Sequence, residues 1–203
     1  MSMRAIAGLL IAAALAGCAN EPPATPATPA PAAPASAPGG YRPVALTTDW
    51  MREPQLVTVS HQEWQRELEA FRGRIVVVDN WATWCAPCIE RFPAMVAMGR
   101  KWAPSGVTFV TLSLDDRDDA ATAEKVTGFL AKQDARMPNY LMDEIIPDAF
   151  DKLGLLGIPA VFIYDAEGTL THRLTGDDPN RQFTEADVEA AVRELVARRA
   201  LRP

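Results

Sequence analysis

The segment Ile75-Val76-Val77-Val78-Asp79 is a nearly unbroken run of β-branched apolar residues, and Trp84-Cys85-Ala86-Pro87-Cys88 follows it closely. A continuous apolar run of this kind reads as a central strand covered on both faces, which calls for helices on either side of a sheet. The cysteine pair then falls where that strand hands over to a helix. A helix N-terminus offers partial positive charge and unsatisfied N–H groups, and both favour the thiolate, the reactive form of cysteine. Cys85 is read as the attacking thiol. Cys88, within one turn of it, is read as the thiol that resolves a mixed disulfide formed at Cys85.

Two other uses of the pair have less chemistry behind them. Zinc needs four ligands and usually a second Cys/His pair, whereas the chain adds only Cys18, His61 and His172; no metal is expected. A structural disulfide between residues three apart closes too small a loop to stabilise much by chain entropy. The expectation is a dithiol–disulfide switch that needs no other cofactor.

The N-terminal residues bound where such a switch works. Residues 1–17 carry Arg4 and then an apolar stretch that ends at Leu15, too short for a membrane span and of the length of a signal-peptide core. The end of this stretch, Leu15-Ala16-Gly17-Cys18, resembles the bacterial lipobox, in which the cysteine is lipidated and becomes the first mature residue; an ordinary secretory signal is the alternative. Ala19, in place of an aspartate, leans the reading towards the outer membrane. Residues 18–49 are read as a flexible linker anchored at Cys18. Within them, Pro22, Pro23, Pro26, Pro29, Pro31, Pro34 and Pro38 favour an extended spacer, and at about 3.1 Å per residue the stretch 21–40 spans up to roughly 60 Å.

Residues 50–203 make one domain of ordinary size. The formal charge of the chain is −6, and no basic run or aromatic-interleaved basic patch marks a nucleic-acid partner. Strands are expected over 56–59, 75–79, 107–114, 160–164 and 169–174. Ser60 with Glu63 forms a capping-box signature for a helix carrying Trp64, Leu68 and Phe71 on one face, and Gly73 ends it. The helix after the cysteines presents Ile89, Phe92, Met95, Val96 and Trp102 inward, with Pro93 expected to kink it; Met95 and Met98 read as core. A last helix begins at Thr184 with Asp187 in capping position and turns Val188, Val192, Leu195 and Val196 inward. The result is an α/β sandwich around a mixed sheet. The run Asp115 to Asp119 lacks the glycine and distal glutamate of a calcium loop and reads as a solvated helix start.

The residues 78–88, Pro93 and Gly157-Ile158-Pro159 ahead of a β-hairpin resemble the thioredoxin fold. The Trp-Ala-Thr-Trp-Cys form, the lipobox and the long connection between the third strand and Pro159 are more similar to the TlpA/ResA-like envelope thioredoxins. The resemblance implies a central mixed sheet flanked by helices, with an insertion that includes residues 140–144 and the helix-like 146–153. It implies that Pro159 is a cis-proline whose preceding backbone, at Ile158, pairs with bound peptide. Trp84 matches the tryptophan beside the nucleophile, with core packing as its other reading; Trp84, Ala86, Pro87, Ile158 and Pro159 form the expected substrate-binding set. Asp79 matches a buried aspartate whose desolvation raises its pKa and which exchanges a proton with Cys88. Many relatives instead carry a glutamate three residues past the second cysteine. Here that position is Arg91, read either as leaning towards the site or as a solvated surface residue.

The resemblance implies a membrane-anchored thiol–disulfide oxidoreductase facing the periplasm. Its expected partners are protein disulfides, such as those of apocytochrome c or copper sites, and a membrane thiol donor of electrons. Ala86-Pro87 is closer to the Gly-Pro of thioredoxins than to the Pro-His of strong oxidants, which favours reduction. The alternative is a copper-binding module using the same cysteines with His172, although copper carriers of that kind separate their cysteines by three residues and this chain by two.

Overall fold

A computed structural model describes residues 51–176 and 182–201 of the 203-residue chain. The expected leader 1–17, Cys18 and the linker 18–49 lie outside the described residues. In chain order the elements are β1 (Gln55–Val59), α1 (His61–Ala70), β2 (Ile75–Trp81), α2 (Ala86–Trp102), β3 (Val107–Ser113), α3 (Thr122–Lys132), β4 (Pro138–Met142), α4 (Ile146–Leu153), β5 (Ala160–Tyr164), β6 (Leu170–Thr175) and α5 (Glu185–Ala200).

The apolar run becomes β2, buried at every position, because it lies inside a six-stranded sheet of order β1-β4-β3-β2-β5-β6. Strands β1 to β4 pair in parallel, and β5 and β6 join antiparallel. Alternation along β2 splits its side chains between two cores. Ile75, Val77 and Trp81 pack with residues of α2, α3 and α5, including Phe92, Val126 and Val192. Val76 and Val78 pack with Trp64 and Phe71 of the α1 region and Ala149 and Leu153 of α4. The doubly covered strand is thus a three-layer arrangement, the thioredoxin-like α/β fold.

Local chemistry sets the element ends where the sequence placed them. Ser60 accepts from the Glu63 N–H while the Glu63 carboxylate accepts from the Ser60 N–H, and Thr184 and Asp187 do the same for α5. Helix α2 runs on through Pro93 to Trp102. The β5–β6 turn is tied by Asp165, whose Oδ1 accepts from the N–H groups of Glu167 and Thr169. Gly168 there has a φ of 80°, a left-handed conformation that glycine adopts without a Cβ clash.

The expected insertion between the third strand and Pro159 contains a strand as well as a helix: residues 138–142 form β4 within the sheet, separating β1 from β3. Asn139 secures it: its Nδ2 donates to the carbonyls of Gln55, Ala135 and Met137, and its Oδ1 accepts from Thr111 Oγ1. The helix-like stretch 146–153 is α4, closed by Gly154 at a φ of 62°.

Candidate active site

The site begins at the C-terminal end of β2, where a short loop leads into α2. Cys85 is the N-cap of α2, with Ala86, Pro87 and Cys88 forming the first helical turn. Pro87 removes an N–H that would otherwise have no intrahelical partner. Cys85 and Cys88 are joined by a disulfide, Sγ to Sγ 1.97 Å and Cα to Cα 5.3 Å. Both are buried, Cys88 at 1% exposure and Cys85 at 5%. No acidic residue stands in the first turn of α2, so nothing there opposes the positive helix end.

Around the pair the surface is apolar and open. Trp84 is 53% exposed, which removes its core-packing reading, and Ala86 and Pro87 are exposed beside it. The Ile158–Pro159 peptide is cis, as expected, and both residues are half-buried. The register brings this bend to the cysteine end of the sheet: Asn80 near the end of β2 pairs with Ala160 and donates from Nδ2 to its carbonyl at 3.2 Å. Gly176 donates its N–H to the Pro159 carbonyl at 3.0 Å. A Cβ at Gly176 would stand 3.2 Å from that carbonyl oxygen, so a larger residue there would have to push it back by a few tenths of an ångström.

Strand alternation puts Asp79 on the same face of β2 as Val77 and Trp81, the face covered by α2, and it is 2% exposed. Burial pushes its carboxyl up to about 6; the Arg91 guanidinium works against this, and Glu185 adds slightly to it. Arg91 follows Cys88 by three residues, so both lie on neighbouring turns of one helix face. It is buried, with Nη2 3.7 Å from Asp79 Oδ1. That excludes the solvated reading of Arg91.

The aspartate run Asp115 to Asp119 proves to have two parts. Asp119 does stand near a helix start, accepting from the Ala121 N–H and from Lys125, but α3 begins only at Thr122. Asp115 is buried and reaches back to the cysteine loop. Its carboxylate accepts from the Thr83 N–H at 3.0 Å, from Thr83 Oγ1 at 2.5 Å and from Ser113 Oγ at 2.7 Å. The turn immediately ahead of Trp84 and Cys85 is thereby fixed to the end of β3. Asp115→Ala strands these donors and is expected to cost about 3 kcal/mol, since hydrogen bonds to charged groups contribute about 1.5–3 kcal/mol each and do not add. Urea unfolding measures that loss, and Asp115→Asn, which keeps one acceptor oxygen, should lose less.

His172, the copper ligand of the alternative reading, sits on β6 opposite Ile163, its Nδ1 3.0 Å from Thr171 Oγ1 and its Nε2 3.8 Å from Glu194. Among the described residues no three His, Cys, Asp or Glu side chains are grouped to hold a metal. Met95 and Met98 are core residues.

Comparison with known proteins agrees with the geometry. The Redoxin family matches residues 34–192, and the chain belongs to it. The chain is similar to the thiol-disulfide oxidoreductase ResA of Bacillus thuringiensis subsp. konkukian, 28% identical over 134 residues, 65% of this chain and 72% of that protein. It is similar also to the thiol:disulfide interchange protein DsbE of Pasteurella multocida, 29% identical over 139 residues, 68% of this chain and 71% of that one. A crystal structure of a thiol:disulfide interchange protein of the thioredoxin family from Chlorobium tepidum superposes with a TM-score of 0.51 at 25% identity, covering 63% of this chain and 83% of that one. Fold, family and bonded cysteine pair are those of a thiol–disulfide oxidoreductase.

Proposed function

We propose that the chain reduces protein disulfides in a bacterial envelope, held to a membrane by a lipid on Cys18, with Cys85 as nucleophile, Cys88 as resolving thiol and Asp79 as proton acceptor. The observation that carries the reading is the bonded Cys85–Cys88 pair at the start of α2. A substrate disulfide is attacked by the Cys85 thiolate, which forms a Cys85–substrate bond and releases one substrate thiol. Cys88 gives its proton to Asp79 and attacks Sγ of Cys85; the internal disulfide forms and the second substrate thiolate leaves. Substrate gains two electrons and the pair loses two. Trp84, Ala86, Pro87, Ile158 and Pro159 would bind the substrate polypeptide, with the Ile158 backbone as an edge for its extended chain.

Electrons would return from a membrane thiol donor, and the substrates would be cysteines of apocytochrome c or of copper sites. The ResA and DsbE relatives support thiol–disulfide exchange as the reaction, and no helix among the described residues is long and apolar enough to cross a membrane. Insulin-disulfide reduction tests the activity: wild type turns over and Cys85→Ser does not. Equilibration with glutathione tests the direction; a potential near about −120 mV, in the range of strong dithiol oxidants, would refute the reductant reading. For the anchor, Cys18→Ala should abolish incorporation of a labelled fatty acid and leave the protein in the soluble fraction; a labelled Cys18→Ala protein would refute it.

A further inference from the structure

The contact between Arg91 and Asp79 is unusual for a buried pair in that no hydrogen bond closes it. Arg91 Nη2 stands 3.7 Å from Asp79 Oδ1, beyond hydrogen-bond distance. Neither Asp79 oxygen has a hydrogen-bond partner among the described residues, and neither does Arg91 Nε. The guanidinium is engaged elsewhere. Its Nη2 approaches Met95 Sδ at 3.2 Å, and its carbon lies 4.5 Å from the centre of the Phe183 ring, a cation–π distance. Phe183 is held in turn by packing on the core that contains Val188. Beside it, Gln182 Nε2 donates to the carbonyl of Gly176, whose own N–H bonds to Pro159.

We infer that Arg91 is a positioning residue for disulfide exchange: held off Asp79 by Phe183 and Met95, it favours the carboxylate by charge while leaving both oxygens open to the proton of Cys88. This rests on Asp79 being the proton acceptor. A bidentate arginine–carboxylate pair would occupy the lone pairs that the proton needs, and an arginine absent altogether would leave burial unopposed. Among the described residues, Arg91 on α2 and Glu185 at the start of α5 are the charged groups that act on Asp79. Its sheet neighbours, Thr111 on β3 and Val161 on β5, carry none.

Two substitutions should move the pH dependence in opposite directions. Arg91→Met removes the attraction and is expected to shift the acid limb of the rate upward by about 1 to 3 pH units, the range for loss of an opposite charge within 4–6 Å. Arg91→Lys keeps the charge and returns the limb towards wild type. Phe183→Ala frees the guanidinium to close on Asp79 and admits water, so the limb moves downward. The readout is stopped-flow reaction of the reduced full chain with saturating oxidised glutathione, where thiol release by Cys88 limits the rate, from pH 4.5 to 9. Asp79→Asn should abolish the limb. A limb that survives in Asp79→Asn overturns the proton-acceptor role and this inference together. A limb lost in Asp79→Asn but unmoved in Arg91→Met overturns this inference alone, as does an upward shift in Phe183→Ala. Should Arg91→Met fail to fold, Phe183→Ala still decides by the sign of its shift: downward supports the inference, and an unmoved or upward limb overturns it.

Discussion

Cys88→Ser is expected to trap a covalent adduct between the protein and a disulfide substrate, joined through Cys85, while turnover falls by at least roughly a thousandfold. The reason is the difference between a tethered and a free thiol. Cys88 is on the helical turn that follows Cys85 and already within bonding distance of it. Well-oriented intramolecular groups act at effective concentrations of about 10⁵–10⁸ M, which no thiol in solution approaches. Without Cys88 the mixed disulfide has no internal route to resolution. The order of attack follows from position: Cys85 is the N-cap and the more exposed of the two, so it meets substrate and its thiolate has the helix N–H groups beside it. Cys85→Ser should accordingly form no adduct. Non-reducing electrophoresis and intact mass after mixing with insulin check both variants. An adduct on Cys85→Ser, formed through Cys88, would reverse the assignment.

Those parts of the site that depend on local chain geometry were legible in the sequence. Cys85 and Cys88 follow an apolar strand and open a helix, a pattern that needs no tertiary knowledge, and the capping boxes at Ser60 and Thr184 fixed two helix starts from four residues each. Pro159 was legible only through resemblance, because nothing local distinguishes it from a trans proline at a strand edge. The residues that were missed act across the fold. Asp115 stands first in a run of charged residues, so composition placed it in solvent; only the register of β2 against β3, with Trp81 opposite Ser113, brings it to Thr83. Phe183 could have been noticed as the apolar residue before the Thr184 cap, five before Val188, the spacing of a hydrophobic staple. Its placement against Arg91, however, depends on how α5 packs. Residues 140–142 belong to the insertion that the resemblance implies, but their apolar run is too short to reveal the strand between β1 and β3.

Asp79→Asn is expected to make the folded protein more stable at neutral pH while slowing exchange. The carboxyl of Asp79 is raised from 3.8 to about 6 in the folded state, so between those values the folded protein holds a proton that the unfolded chain has released. Stability contributed at this site is therefore fully present below pH 4 and is lost as pH rises through about 6. A shift of about two units at 1.36 kcal/mol each sets the loss at roughly 3 kcal/mol. Breaking a buried pair ordinarily destabilises, by about 3–5 kcal/mol, because the remaining charge is left uncompensated. Here the attraction of Arg91 is already included in the raised value, and desolvation still outweighs it, since 3.7 Å without a hydrogen bond is a loose contact. Asparagine imitates the protonated acid and escapes the ionisation cost. Urea unfolding of both proteins at pH 4 and pH 7.5 should give a small difference at the lower pH and a gain for Asn approaching 3 kcal/mol at the higher one. A difference independent of pH would mean that Asp79 titrates alike in the folded and unfolded chains. A gain confined to higher pH, with slower exchange there, would mean that the fold carries a destabilising carboxylate where the cysteine pair needs a proton acceptor.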